Sequence, residues 1–581
     1  MKIPIRGYWR LLSKYLRPQL HKVIILGVSL LLSIGLQLLN PQITRFFIDG
    51  ALRGISYNIL IETAIIFIGI IFMQQLLAIL ITYLGKSIGW TSTNALRTDL
   101  VEHCLGMDME FHKSLKPGEL IERIDGDVAI LLNFFSQLIV VVISNVMLVI
   151  GVLILLFRED WMIGLAQTVF VVIATFILIQ VQSVAVPHWK LVRELTGKFY
   201  GFIGEQITST EDIKSSGAIS NTMNNFHEFL QKWLPLRRKA TVMGYSMYFV
   251  LLALIGISNT IALGLGAYLR QKGIVTIGTI YLFYNYTSYL VTPIDQIRRQ
   301  LQNLQAAEAS IWRIDELFNR KSKLGDIAGK ILENTPFDIF VNNVNFEYEE
   351  NVTVLKDISF KLSQGKILGV LGRTGSGKTT IARLLIRLND PKEGEIYFGG
   401  HAIKSIGLKS LRERVAYVTQ DVQLFYASVR DNITFFNKDI KDETIVKVIE
   451  KVGLSSWYYS LPNALDTIID ASGGGLSAGE AQLLAFVRAF LKDPSLVILD
   501  EASSRLDPAT EKLIQSAILK LLEGRSGIII SHRLWSVKCA DEIMILDQGK
   551  VLEYGNRKDL EEDKNSRFYN LIKAGIEEVL V

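Results

Sequence analysis

The chain has 581 residues, 62 Lys+Arg against 57 Asp+Glu, a formal net charge of +5 and 49% hydrophobic residues, with a mean hydropathy of +0.30. Apolarity sustained over that length excludes an ordinary soluble enzyme, a disordered chain and a fibrous protein, and leaves room for a membrane domain with one or two soluble domains. The basic excess is too small to indicate a nucleic-acid partner and suits a membrane protein with basic cytoplasmic loops.

Residues 1–22 carry Lys2, Arg6, Arg10, Lys14, Arg17 and Lys22 and no acidic residue, which the positive-inside rule places in the cytoplasm. Six uncharged apolar runs follow, at 23–39, 63–85, 128–157, 161–187, 240–269 and 273–294, and none recurs after Ile294. A hydrocarbon core of about 30 Å takes about 20 apolar residues of helix, so each run is a candidate span of the lipid bilayer. The first run is short and has a basic flank, as a signal peptide would. It ends in Gln37-Leu38-Leu39-Asn40-Pro41 without a small-residue cleavage pattern, and a retained helix is expected. Six spans return the C-terminus to the cytoplasm, as does the basic loop between the fourth and fifth runs, with Lys190, Arg193, Lys198, Lys214, Lys232, Arg237, Arg238 and Lys239.

The outer connections Arg158-Glu159-Asp160 and Arg270-Gln271-Lys272 are short, while the two inner ones run to roughly forty to sixty residues. Apolar residues at helical spacing, as over 94–102, predict membrane helices prolonged into the cytosol as hairpins rather than solvated loops. Irregular breaks at 111–118 and 209–217 are natural contact points for a soluble domain. Cys104 and Cys539 stand far apart without His or Cys at metal-ligand spacing and read as reduced structural thiols.

A polar linker helix over 298–319 leaves the last span, and 320–336 reads as a domain boundary. The domains expected are a cytoplasmic segment (1–22), a six-helix transmembrane domain (23–319), a linker (320–336) and a soluble α/β domain (337–581), whose strands alternate with helices as in a parallel sheet. In the soluble part a strand over 367–371 runs into Gly372-Arg373-Thr374-Gly375-Ser376-Gly377-Lys378-Thr379-Thr380 and an apolar helix. That is GxxxxGK[ST] between strand and helix, a P-loop. Its glycines let backbone N–H groups face ATP phosphates, Lys378 neutralises the β- and γ-phosphates, and Thr379 holds Mg²⁺. Further on, Leu496-Val497-Ile498-Leu499-Asp500-Glu501 is a buried strand ending in two carboxylates. Asp500 suits the Mg²⁺ shell, and Glu501 suits the general base for an attacking water. Such a strand end is a weak signal alone and a strong one as the companion of Lys378.

In this order the motifs resemble the ATP-binding cassette (ABC) transporters, specifically exporters that fuse six transmembrane helices to one nucleotide-binding domain, and the likeness covers nearly the whole chain. The resemblance implies that Tyr348 stacks on adenine, that Gln420 in Val418-Thr419-Gln420-Asp421 links Mg²⁺ to the membrane domain, and that His532 is the switch histidine. It also places the signature at Leu476-Ser477-Ala478-Gly479-Glu480, with Ser477 and Gly479 contacting phosphate, and the D-loop at Ser504-Arg505-Leu506-Asp507. In this family each ATP lies between the P-loop of one subunit and the signature of the other, so a dimer is implied. Two departures stand out. Ala478 replaces a signature glycine and adds a Cβ where backbone approaches phosphate, and Glu480 adds a carboxylate where glutamine is usual. They favour pairing with a different, homologous half-transporter over a homodimer.

The apolar runs contain no acidic or basic residue, so ion coupling through an intramembrane charge has no support and ATP is the expected energy source. Gln74, Gln75, Asn133, Gln137, Asn145, Gln167, Gln180, Tyr281, Tyr284, Asn285, Tyr286 and Tyr289 could line a cavity for an amphipathic or lipid-like cargo, or instead bond to one another between helices. The function expected is ATP-driven export of a hydrophobic or amphipathic drug, lipid or peptide by alternating access, with the breaks at 111–118 and 209–217 as coupling helices. An ATP-gated channel or regulatory membrane subunit is the alternative, and an importer is disfavoured because importers usually keep the two domain types on separate chains.

Overall fold

In the computed structural model the described residues are 13–325, 329–333, 335–348, 352–470, 476–501, 508–531 and 537–573, without the side chains of 134–139, 301–306 and 508–509. They divide into two compact units, Met1–Gly106 with Leu115–Lys321, and Met107–Ser114 with Ser322–Val581.

The first unit is built from long helices: α1 (Leu20–Leu52), α2 (Tyr57–Leu105), and, after the short α3 (Met109–Ser114) that belongs to the second unit, α4 (Asp127–Gln137), α5 (Ser144–Glu159), α6 (Trp161–Thr208), the short α7 (Thr210–Ser215), α8 (Ile219–Gln271) and α9 (Ile277–Asn319). A π-helical turn, Leu138–Ile143, joins α4 to α5. The helices α2, α6 and α8 have 49, 48 and 53 residues, or roughly 70–80 Å at 1.5 Å per residue, more than twice a hydrocarbon core. They therefore run on past the apolar stretches as the hairpins expected from periodicity. Their outer faces are apolar and exposed, as at Ile65, Ile68, Phe72 and Ile79 on α2, a pattern that suits lipid rather than water.

Among the described residues five helical stretches are long and apolar enough to cross a membrane: Ser13–Leu52, Tyr57–Leu105, Val140–Glu159, Trp161–Thr208 and Ile219–Gln271. The sixth expected span lies in α9, which is more polar because it is the centre of the bundle. Leu282, Phe283, Tyr286, Thr287, Leu290 and Val291 are all fully buried there. A helix surrounded by other helices can carry hydroxyls and amides provided that its neighbours satisfy them. Tyr286 donates to the Leu38 carbonyl at 2.8 Å and Thr287 to Asn259 at 2.9 Å. Similar pairs join Asn40 to Gln74 (3.0 Å), Ser258 to Gln167 (3.1 Å) and Asn145 to Gln296 (2.8 Å). Gln74, Asn145, Gln167 and Tyr286, which composition alone could assign to a cargo cavity, thus serve interhelical packing.

Two helix starts are fixed by side-chain caps. Asp160 accepts from the amides of Met162 and Ile163 and opens α6, while Thr276 accepts from the Thr279 amide and opens α9. At the opposite end of the unit Asp127, 1% exposed, is held by the guanidinium of Arg313, whose Nε lies 2.7 Å away, and by the Ser310 hydroxyl at 2.9 Å. This ties the start of α4 to the distal part of α9.

The second unit carries a four-stranded antiparallel sheet in the order β2 (Thr353–Leu362), β1 (Ile339–Glu347), β4 (Glu393–Phe398), β5 (His401–Ala402). A six-stranded sheet follows the order β12 (Lys550–Asn556), β11 (Glu542–Asp547), β3 (Ile367–Gly372), β10 (Ser526–Ile530), β9 (Leu496–Asp500), β6 (Val415–Val418), and a small pair joins β7 (Ala427–Ser428) to β8 (Ile468–Ile469). From β11 to β6 the neighbours are parallel, and only β12 is antiparallel. Strands β3, β9 and β10 are buried over nearly their whole length, with helices on both faces, which is why they read as unbroken apolar runs. The helix α10 (Lys378–Leu385) follows β3, and α11 (Ala478–Lys492) packs near β6.

Replacing Asp127 by Ala leaves the Arg313 guanidinium and the Ser310 hydroxyl without their shared acceptor. A loss of about 2 kcal/mol is expected, with Asp127→Asn intermediate, as read by thermal unfolding of the detergent-solubilised protein.

Candidate functional site

The strand order of the six-stranded sheet gathers the sequence motifs. Adjacent parallel strands β3, β10, β9 and β6 all end on one edge, so the P-loop after β3, Ser531 after β10, Asp500-Glu501 at the end of β9 and Gln420 just beyond β6 stand side by side. The carboxyl edge of a parallel sheet is where such folds bind ligands. His532 and Asp507 lie outside the described residues.

The loop itself depends on glycine. Gly375 and Gly377 have φ of +82° and +104°, values open to glycine and strained for other residues. A Cβ on Gly377 would come within 2.5 Å of Leu355, and one on Gly372 within 2.3 Å of the Leu546 carbonyl. Gly377 precedes the first residue of α10, so the helix N-terminus opens onto the loop. Arg373, Thr374 and Gly375 are exposed at its rim, while Ser376, Lys378 and Thr380 are buried. Lys378 Nζ donates to the carbonyls of Gly372 and Arg373 at 2.8 and 3.0 Å. Burial pushes its ammonium pKa down, and the charges of Glu501 and Asp500 oppose that. The Ser376 hydroxyl is buried with no hydrogen-bond partner among the described residues. An orphaned hydroxyl inside a glycine loop at a helix N-terminus fits a phosphate cradle.

Asp500 is 4% exposed. It accepts from Thr379 Oγ1 at 3.3 Å and from the Tyr417 hydroxyl at 2.9 Å. Burial pushes the Asp500 carboxyl up, and those two hydrogen bonds partly restore it. The same burial and the adjacent carboxylate push the Tyr417 phenol up, so it stays a donor. Thr379 and Asp500 form an oxygen pair suited to a hard cation such as Mg²⁺, which takes one or two carboxylates and completes its shell with phosphate and water. Glu501 turns off the strand with φ +48°, its amide donating to the Ile530 carbonyl at 2.9 Å. A left-handed glutamate is uncommon, and the charge of this one is felt by Lys378.

Tyr348, just past β1, is half-buried and meets Phe346 edge-to-face at 4.8 Å. Its hydroxyl lies 3.3 Å from Thr380 Oγ1 and accepts from Arg383 at 3.3 Å, both on α10. The ammonium of Lys113 on α3 sits 3.9 Å from its ring centroid. Gln420 is exposed. At the signature Ser477 N-caps α11 in a full capping box: its hydroxyl accepts from the Glu480 amide at 3.2 Å and its own amide donates to the Glu480 carboxylate at 2.8 Å. Gly479 is buried in the first turn of α11. Sequence reading missed Tyr417, Arg383 and Lys113. Tyr417 had one signal, an aromatic three residues before Gln420; the others are brought in by packing alone.

Two family models match the chain, the ABC transporter transmembrane region over 23–294 and the ABC transporter domain over 355–504. The chain belongs to the ABC transporters. Relatives include an uncharacterized ABC transporter ATP-binding protein of Bacillus subtilis, 27% identical over 97% of this chain and 93% of its own. An ATP-dependent lipid A-core flippase of Idiomarina loihiensis is 28% identical over 91% of each, and a multidrug resistance ABC transporter ATP-binding and permease protein of Lactococcus lactis 24% over 90% and 88%. In fold the chain is similar to a bacterial Atm1-family ABC exporter solved with ATP bound, with a TM-score of 0.81, 21% identity and coverage of 97% of this chain and 99% of that one. The transmembrane region and the nucleotide-binding domain are thus fused in one exporter-type ABC chain, a multi-pass membrane protein whose ATPase activity is coupled to transport. The transmembrane match reaches residue 294 and so includes the polar sixth span.

Two outcomes check the site. Lys378→Ala should weaken nucleotide binding at least about 10-fold in equilibrium titration, because a charge-assisted phosphate contact is lost. Asp500→Asn should abolish turnover while raising the melting temperature of the nucleotide-free protein by about 2 °C. The raised carboxyl pKa means that the wild-type residue lowers stability as pH rises through that pKa, so the gain should shrink in acid.

Proposed function

We propose that the protein is one half of an ATP-driven exporter that moves a hydrophobic or amphipathic substrate, in the drug or lipid class its relatives are named for, across the cytoplasmic membrane by alternating access, with both termini cytoplasmic. The observation that carries this is the joining, in one chain, of a bundle of bilayer-length helices to a crevice where Lys378, Thr379, Asp500 and Glu501 stand on one sheet edge.

In this reading the P-loop amides and the N-terminus of α10 receive the phosphates, and Lys378 exchanges its two loop carbonyls for phosphate oxygens. Tyr348 offers its ring to the adenine, in place of or across from the Lys113 ammonium. Thr379 and Asp500, with Gln420, would hold Mg²⁺, which supplies charge neutralisation when bound. Glu501 takes the proton of the attacking water, and His532 assists at the γ-phosphate. The D-loop Asp507 contributes to nucleotide binding. The short helices α3 and α7 occupy the breaks of the two hairpins and serve as coupling helices.

The second ATP contact comes from a partner's signature, and the pairing we favour is with a different half-transporter. Support comes from the start of α11. Glu480 completes a capping box, which stabilises the helix by placing a carboxylate at its positive end. The same carboxylate reduces the positive potential that this N-terminus can offer an incoming γ-phosphate, and Ala478 adds bulk at the approach. A site built on this signature therefore grips ATP weakly, while the P-loop of this chain keeps its parts for a partner with an unaltered signature.

Co-reconstitution in lipid vesicles tests the proposal. Substrate-stimulated hydrolysis with accumulation of cargo is expected; hydrolysis without any cargo movement, accompanied by a passive conductance, would replace the exporter by a channel. Glu501→Gln should lower turnover by about 100-fold or more while ATP still binds and traps a closed dimer. The chain purified alone should show weak, non-cooperative ATPase activity, and full cooperative activity would rule out the mixed pairing.

A further inference from the structure

The first unit contains a cavity of about 1390 Å³ between α5, α6, α8 and α9. That is larger than a pocket for a drug-sized molecule, which usually holds 300–1,000 Å³. None of the amides and tyrosines singled out in the spans lines it. Its wall changes character along α6. Val171, Leu178 and Ile179 give an apolar surface, Gln182 and Ser183 a polar step, and Lys190 and Arg193 a basic end. From Val171 to Arg193 is roughly 33 Å of helix at 1.5 Å per residue. Arg298 and Arg299 of α9 also line the cavity, with Asp295 as its one acidic lining residue.

The charges there do not cancel. Asp295 is saturated, accepting from Arg298 Nε and Nη2 at 3.0 and 2.7 Å and from Arg299 Nε at 2.8 Å. Arg298, 8% exposed, is further fixed by Gln182 at 3.2 Å. Lys190 and Arg193 are exposed and make no ion pair among the described residues. The nearby Glu194, which feels Lys190, is engaged by Lys198 at 3.0 Å. Four cations against one saturated carboxylate, at the mouth of a low-dielectric apolar chamber, focus a positive potential into it. An anion placed there gains paired, charge-assisted hydrogen bonds, whereas a cation meets like charge.

We infer that this cavity binds an amphiphile with an anionic head, a phosphate or carboxylate on an acyl-like or polycyclic body, the head held by Lys190 and Arg193 beside the anchored Arg298 and the body along the apolar stretch of α6. The inference rests on the exporter reading and narrows its substrate class.

The test uses the exporter with its partner in phosphatidylcholine nanodiscs. ATPase stimulation is titrated with dodecyl phosphate, dodecyltrimethylammonium, uncharged dodecyl maltoside and inorganic phosphate. Dodecyl phosphate should half-stimulate at a concentration about 10-fold below that of the ammonium amphiphile. The double variant Lys190→Gln/Arg193→Gln should erase most of that ratio, and Arg193→Lys should retain it. Reading the ratio of anionic to cationic potency keeps the result independent of any change in basal turnover. Equal potency of anion and cation, an unmoved ratio in the double variant, or stimulation by inorganic phosphate at the concentrations where dodecyl phosphate works would each overturn the inference. Stimulation by the uncharged amphiphile alone would leave the exporter reading standing, while stimulation by none of the amphiphiles would overturn both.

Discussion

A charge removed from water must find a partner, and that requirement organises both units of this protein. In the second unit Lys378 and Asp500 are buried within one crevice, the lysine held by two loop carbonyls and the carboxylate by Thr379 and Tyr417. Each is bound by a group that a nucleotide could replace or join. The two groups are shifted in opposite directions by the same cause, loss of water, and each lies in the other's field. A crevice in that condition is poised to accept a polyanion with its cation, since both protein charges gain counter-charges when it does.

The first unit meets the requirement differently. Its apolar runs carry no charges, and its buried ions sit beyond them, as in Asp127 with Arg313 and Asp295 with Arg298. Within the spans, neutral amides and hydroxyls bond from helix to helix, since hydrocarbon offers no other partner. On α9 the buried Tyr286 and Thr287 find their partners on neighbouring helices. Lys190 and Arg193 are exposed and so fall outside that requirement; without an ion pair among the described residues, they leave a net positive charge at the end of an apolar chamber.

At the signature helix one residue, Glu480, serves local stability through its capping box. Glutamate at position 480 suits an N-terminal capping box and the helix macrodipole. The phosphate that such an N-terminus is meant to attract experiences the same carboxylate as repulsion. In the proposed mixed pairing this well-capped helix start would be the weaker half of a nucleotide site, and a partner chain with an unaltered signature would complete the other site.

The amino-acid sequence by itself determined the membrane domain, the soluble α/β domain and the glycine loop, because these rest on local signals: uncharged runs long enough for a bilayer, alternation of strands and helices, and a fixed spacing of Gly, Lys and Thr. Tyr417 on Asp500, Arg383 and Lys113 at Tyr348, the left-handed turn at Glu501 and the basic mouth of the cavity were decided only by the tertiary structure. These contacts join residues tens to hundreds of positions apart, and one-dimensional periodicity cannot tell a tyrosine that bonds across helices from one that faces a cargo. Strand order converts separate motifs into one crevice, and helix crossing converts scattered lysines and arginines into one field.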